Sequence, residues 1–173
     1  YVLDSPVLSN SQLKKFKTIF SKKIRIIDCT FSVKESLKSR IEKIREDAEL
    51  AVREGANHLV LSDKNVSESR AIVPMILAVG AVHSKLVKLH LRGYASINVE
   101  TAEAMDTHSF AVLIGVGATT VNPYLAIDSI YQRFEKKLFG NLDFESCVER
   151  FKKSINAGLL KIMSKMGISV LSS

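Results

Sequence analysis

"LVLSDKN" at 59–65, "SINVETAEA" at 96–104 and "TTVNPYLA" at 119–126 follow one pattern: a short β-like run closed by a polar or acidic side chain. A fourth run, "IRIID" at 24–28, ends the same way and leads into a long helical stretch. Short apolar strands alternating with longer helical segments mark βαβ units and a mainly parallel sheet. Ligands in such sheets sit at the carboxyl ends of the strands. Asp28, Asp63, Glu100 and Asn122 are therefore the positions to weigh. Each also has a plainer reading, because Asp and Asn after a strand cap the next helix or close a local turn.

Working outward, a short helix is expected over 10–20, capped by Ser9 or Asn10, with Leu13, Phe16 and Phe20 on one face. Leu37, Ile41, Ile44, Ala48 and Ala51 recur at intervals of three and four, which predicts an amphipathic helix over 33–54 ended by Gly55. A strand follows at 59–62. "SESRAIVPMILAVGAVHSKLVKLHL" at 67–91 places Pro74 in the first turn of a long, buried helix that finishes near His90. Strand Ser96–Glu100 and an apolar helix over 102–117 come next, then a short strand in "ATTVNP" and a helix over 124–138. Gly140 and Asn141 mark a turn before a last helix from about 143 to 165, with Asp143 as its cap.

Closure of a (β/α) barrel takes about eight strands, and this chain offers about four. The expected fold is therefore α/β: an open or incomplete (β/α) barrel-like unit of about four mainly parallel strands with flanking helices. One domain over 1–173 accommodates this, with 143–173 serving as helix and connector toward a following domain. The missing initiator Met and the abrupt C-terminus point to a piece of a longer polypeptide.

The net charge of +7 is spread over 14–23, 34–45, 85–92 and the last two helices. Glu35, Glu42, Glu46, Glu49 and Glu54 alternate with the basic residues of the second helix, the mark of a solvated face. No aromatic residues interleave as a base-stacking platform requires, so nucleic acid is not an expected partner. The apolar runs are too short to span a bilayer, and the N-terminus lacks the features of a signal peptide. Cys29 and Cys147 fall in no CxxC or Cys/His cluster and read as reduced cytosolic thiols.

"GVGATT" at 115–120 precedes a strand, whereas a dinucleotide fingerprint follows one, so its glycines read as a helix stop and a close-packing point. His83, His90 and His108, with Glu103 and Asp106, lack the spacing of a metal-binding helix. His83 and His108 read as buried or interfacial histidines. In Asn122-Pro123-Tyr124 the proline holds Asn122 extended, its amide at a strand end, with the Tyr124 phenol at the same edge. Asp63, Glu100, Asn122 and Tyr124 are the candidates for a polar passage or an interdomain face. No Ser/His/Asp or Cys/His arrangement stands out, and no catalytic, cofactor or metal residue is assigned.

"PMILAVGAVHSKLV" at 74–87, "VETAEAMDTHSFAVLIGVGATTVNPYLA" at 99–126 and "INAGLLKIMSKMGISVLSS" at 155–173, with "SPVLS" at 5–9, resemble the central region of the glutamate synthase large subunit. The match spans nearly everything from 59 onward in order and spacing. It departs from the family at Ser84 and Ser109, where the second members of two histidine pairs are replaced. The resemblance implies the C-terminal part of the central domain, an α/β unit related to a rudimentary version of the flavin-binding barrel that follows it.

The implied parent is a cytoplasmic oxidoreductase of glutamate biosynthesis and nitrogen assimilation. It hydrolyses glutamine, passes ammonia through an internal tunnel and adds it to 2-oxoglutarate, with reduction by flavin. FMN and an iron–sulfur cluster are expected in the parent and neither in this fragment; electrons come from NADPH or ferredoxin. The implied partners are the amidotransferase and FMN-binding domains of the same polypeptide and a small electron-transfer subunit. The fragment's role is then a non-catalytic scaffold that helps form the tunnel wall. The alternative is a free-standing, small-molecule or flavin-binding α/β half-barrel.

Overall fold

The computed structural model describes residues 4–171; 1–3 and the end of the expected connector, 172–173, lie outside the described residues. In chain order the elements are α1 (Asn10–Ile19), β1 (Ile24–Asp28), β2 (Thr30–Ser32), α2 (Leu37–Arg53), β3 (His58–Ser62), β4 (Arg70–Ile72), α3 (Met75–Lys88), β5 (Ser96–Glu100), α4 (Thr107–Gly115), β6 (Thr120–Asn122), α5 (Tyr124–Glu135) and α6 (Phe144–Met166), with a single 3-10 turn at Arg92–Tyr94. Strands β1, β3, β5 and β6 form a parallel sheet in that order, with Asp28, Ser62, Glu100 and Asn122 in register at its carboxyl end. The sheet does not close on itself. The chain is the open α/β, barrel-like unit that its strand spacing implies.

Side chains alternate across a strand, and here the two faces differ in kind. On the outer face Ile27, Leu59, Leu61, Ile97, Val99 and Val121 join the main core with Ile44 and Ala48 of α2, Val79 and Val82 of α3, Phe110 of α4 and Leu159 of α6. Each fully buried aliphatic side chain of this kind contributes about 1.5–3 kcal/mol.

The inner face carries His58, Ser62, Ser96, Asn98, Glu100, Thr120 and Asn122, and α1 lies over it. Leu13 and Phe16 of α1 pack with Leu8 and against Phe20 and Ile24, and the Phe16 ring meets His58 edge-on at 4.9 Å. Buried polar groups need partners, and these find one another along the face. His58 Nδ1 and Ser96 Oγ lie 2.8 Å apart, Asn98 Nδ2 donates to Leu59 O at 3.0 Å and to Ser96 Oγ at 2.9 Å, and Thr120 Oγ1 donates to Asn98 Oδ1 at 2.8 Å.

Beyond β6 the sheet is sealed by residues 6–8, a strap with no strand pattern of its own. Val121 N donates to Pro6 O at 2.8 Å and Leu8 N to Val121 O at 2.9 Å. At the opposite edge, β1 has no strand on its far side among the described residues.

Several boundaries differ from the sequence reading. Helix α2 starts at Leu37, because Ser36 caps it and Thr30–Ser32 pairs antiparallel with Arg70–Ile72. That small second sheet is too short to leave a periodic signature, and it takes up the residues ahead of Pro74. Helix α4 begins only after Asp106, whose side chain accepts from Ser109 N, so 101–106 is a loop. Helix α5 stops at Glu135, and Lys137 follows in the left-handed region.

Helix α1 opens on a capping box: Gln12 N donates to Ser9 Oγ at 3.2 Å and Ser9 N to Gln12 Oε1 at 2.9 Å. The same Gln12 oxygen accepts from the buried Lys152 of α6 at 3.2 Å, whose ammonium also pairs with Glu149 at 2.9 Å. Ser9→Ala should therefore cost about 1 kcal/mol. Gln12→Ala should cost about 2 kcal/mol, since it also strips an acceptor from a buried ammonium. Urea midpoints of the two variants provide the check.

Candidate functional site

At the carboxyl end of the sheet, three of the four predicted residues come together. Asp63 is 0 % exposed. Its Oδ2 accepts from Thr101 Oγ1 at 2.6 Å, and both its oxygens accept from Ala102 N at 3.0 and 3.2 Å. The Tyr124 phenol is hydrogen-bonded to Asp63; burial pushes it well above the ordinary tyrosine range, and that carboxylate pushes it further. The Asp63 oxygens are thus engaged by the β5–α4 loop, and the phenol is held as a neutral donor.

Glu100, 4 % exposed, sits one strand over. Its Oε2 accepts from Lys17 Nζ at 2.9 Å and from Ser62 Oγ at 2.8 Å, and Lys64 Nζ lies 3.3 Å from Oε1. Burial raises its pKa, but the bonds from Lys17 and Ser62 and the two ammonium charges outweigh it, and Glu100 is held below the ordinary range. Lys64 also stands 5.0 Å over the Tyr124 ring, so it bridges the two halves of the cluster.

Asn122 turns away from this group. Its Nδ2 donates to Leu8 O at 3.0 Å and to Asn10 Oδ1 at 2.9 Å, fixing the N-terminal strap, while its buried Oδ1 has no partner. Asn122→Ala should loosen the strap by about 1.5 kcal/mol, seen as faster amide exchange at Leu8 and Val121 with little change at β3. At the fourth strand end, Asp28 is held below the carboxylate range. Burial works against this, but the Thr30 hydroxyl and amide, Asn65 and the Arg70 guanidinium prevail.

The plainer reading thus holds only at Asp28, which closes a local turn. The helices that follow the other three strands are not capped by Asp63, Glu100 or Asn122.

Lys17, Ser62, Lys64 and Thr101 complete the cluster, and none was singled out from sequence. Lys17 lies 83 residues from Glu100, and no spacing rule connects them. The surrounding segments also carry exposed apolar side chains among their polar ones. Val66 after β3, Ile76 and Leu77 in the first turn of α3, Met105 after β5 and Leu125 in the first turn of α5 are all exposed. They sit on segments that emerge at the carboxyl end of the sheet or begin the helices there.

Gly115 and Gly117 lie at the other end, where α4 stops. Gly117 has φ of +120°, and a Cβ on it would overlap His83, 2.4 Å from Nδ1 and 2.6 Å from Cγ. Gly117 is therefore the close-packing glycine, whereas Gly115 ends α4 with open space at its Cβ. His83 Nδ1 accepts from Arg92 Nε at 3.1 Å, which makes it the partly buried, satisfied histidine expected. His108 is exposed instead, in the first turn of α4.

Cys29, at the end of β1, and Cys147, in α6, are both buried and unpaired, and two such thiols do not make up an iron–sulfur ligand set. Burial pushes the Cys29 thiol up to about 12, so it should resist alkylation at pH 8 until the chain unfolds. Thiol counting with and without denaturant tests this. Among the described residues, no group of three or more His, Cys, Asp and Glu side chains is placed to hold a metal ion, and no helix is long and apolar enough to cross a membrane.

Comparison with known proteins gives a consistent result. A family model described as "Glutamate synthase central domain" matches residues 1–173. The large chain of glutamate synthase [NADPH] from Azospirillum brasilense is 49 % identical over 99 % of this chain, and that of Bacillus subtilis (strain 168) is 42 % identical over the same share. The ferredoxin-dependent, chloroplastic glutamate synthase of Spinacia oleracea is 38 % identical, also over 99 %. This chain spans only 11–12 % of the length of these relatives.

Proposed function

The chain belongs to the glutamate synthase central-domain family, and we propose that it acts as a non-catalytic scaffold of a large glutamate-forming polypeptide. On this reading it holds an amidotransferase domain and an FMN-binding domain in fixed relation, and its strand-end face forms part of the wall between them, along which ammonia passes. The observation that carries the reading is the contrast at that face. Asp63, Glu100 and Tyr124 are consumed by internal partners, while Val66, Ile76, Leu77, Met105 and Leu125 around them are exposed. A polar centre closed on itself, with exposed apolar side chains on the segments around it, suits docking better than turnover.

The reading assigns FMN and the iron–sulfur cluster to other domains, residues 143–171 to a connector leading toward the flavin domain, and the whole polypeptide to the cytoplasm. The exposure of Leu160, Met166 and Val170 beyond the buried Leu159 supports the connector. Relatives of both the NADPH and the ferredoxin type match the same 99 % of the chain, which supports placing electron delivery, including any small electron-transfer subunit, against other parts.

The test is Leu77→Asp with Leu125→Asp in the whole polypeptide. Glutamine-dependent glutamate formation should fall roughly tenfold or more, as misplacing two centres does, while glutamine hydrolysis assayed alone persists. Unchanged coupling would overturn the reading. So would micromolar FMN binding by this chain that is lost on changing Asp63, Glu100 or Asn122.

A further inference from the structure

The two edges of the parallel sheet are treated differently. Beyond β6 the strap at 6–8 supplies main-chain partners; beyond β1 nothing does among the described residues. The main-chain groups of β1 alternate in direction. Lys23 O accepts from Asn57 N and His58 N, and Cys29 N donates to Ser62 O, so the odd-numbered residues face β3. Ile24, Ile26 and Asp28 therefore turn their N–H and C=O groups outward. Asp28 agrees, because its outward carbonyl accepts from Arg40 Nη2 at 2.6 Å. Among the described residues, Ile24 and Ile26 have no such partner on that side.

The flanks of this edge are shaped for an extended segment. Helix α2 overhangs it, and a groove of about 260 Å³ runs between them, lined by Arg25, Ile26, Asp28, Arg40, Leu50 and Ala51 among others. Ile26 and Leu50 are 54 % and 56 % exposed, an unusual state for an isoleucine inside a strand and a leucine on the helix above it. Arg40 Nε is buried without an acceptor. Apolar contacts, two free main-chain rungs and one unpaired guanidinium N–H together describe the surroundings of a further strand. Proteins rarely leave such an edge uncovered.

We infer that β1 is paired, in the intact protein, with an extended segment from elsewhere in the same polypeptide. That segment presents apolar side chains to Ile26 and Leu50 and an acceptor to Arg40 Nε. The occupant is taken from the same polypeptide because this chain is 11–12 % of the length of its relatives, leaving ample sequence to supply it. The inference uses only that fact and not the scaffold role, so either can fail without the other.

The experiment is residue-resolved amide hydrogen exchange on the whole polypeptide. Ile24 and Ile26 amides should exchange at least a hundredfold more slowly than the exposed loop amides of Asn65 and Glu68. Ile26→Lys should remove that protection while Leu59 and Leu61 amides of β3 stay protected, which separates loss of the added strand from failure to fold. Loop-like exchange at Ile24 and Ile26 in the unaltered protein would overturn the inference. Protection that disappears on dilution would also overturn it, because the edge would then be pairing with a second copy.

Discussion

Alanine at position 117 is expected to destabilise the fold by about 4 kcal/mol, the sum of roughly 1–3 kcal/mol of backbone strain and 1–3 kcal/mol of overpacking. The first part arises because Gly117 has φ of +120°, where an L side chain is strained. The second arises because the new methyl would overlap His83. His83 cannot simply yield, since its Nδ1 accepts from Arg92, whose other nitrogens donate to Ala95 O at 2.7 Å and Gly117 O at 3.0 Å. One methyl therefore loosens the joint between α3, α4 and the start of β5 together. The melting temperature should drop by about 10 °C. Gly115→Ala is the control: it has no positive φ and nothing near its Cβ, and it should be neutral or slightly stabilising. Equal losses at both positions would show that helix termination, and not the His83 contact, sets the cost.

Glu100→Ala should cost about 3 kcal/mol at pH 7, because it leaves a partly buried ammonium and a buried hydroxyl facing each other without their shared acceptor. Lys64→Ala should change stability by no more than about 0.5 kcal/mol, since that ion pair is half in water. If the two losses were equal, the strand-end network would not be organised around its buried carboxylate.

The same network sets an acid limit. The folded pKa of Glu100 lies below its ordinary value of 4.5 and that of Asp28 below 3.8. Their stabilising contributions are therefore complete above those values and are lost as pH falls through the lower folded values. His58 and His83 are held below 6.5, His58 by burial and His83 by burial and the Arg92 charge. They begin to cost stability as pH drops under 6.5, where the unfolded chain takes up protons first. Denaturation midpoints should thus decline gently from pH 6.5 and steeply below about 4.5. Glu100→Gln should flatten the steep limb and leave the gentle one.

The parallel sheet was legible because each of its strands ends a run of β-branched or aliphatic residues, and the strand-end positions followed from that. Two things were not. The antiparallel pair β2 and β4 has three residues a side, too few for a period to show. The polar inner face had a signal that went unread: Ser96, Asn98 and Glu100 alternate strictly with Ile97 and Val99, the period-two signature of a strand with two unlike faces. Lys17 and Gln12, by contrast, reach their partners only through the way α1 lies across the sheet, and nothing local in "NSQLKKFKTI" encodes that. Asp63, Glu100 and Tyr124 were chosen for their places at strand ends; that they would satisfy one another, and so lose their freedom to react, is a property of three-dimensional packing.

The strap over β6 also imposes an order on biosynthesis. Asn122 and Leu8 are 114 residues apart, so a nascent chain has made residues 6–8 long before their partner leaves the ribosome. At about 5–20 residues per second the interval is roughly 6–23 s. Through that time β1, β3 and β5 can pair and α1 can settle on their inner face, but the last edge stays open. This domain is therefore most vulnerable to aggregation just before β6 emerges, while β5 is the uncovered edge.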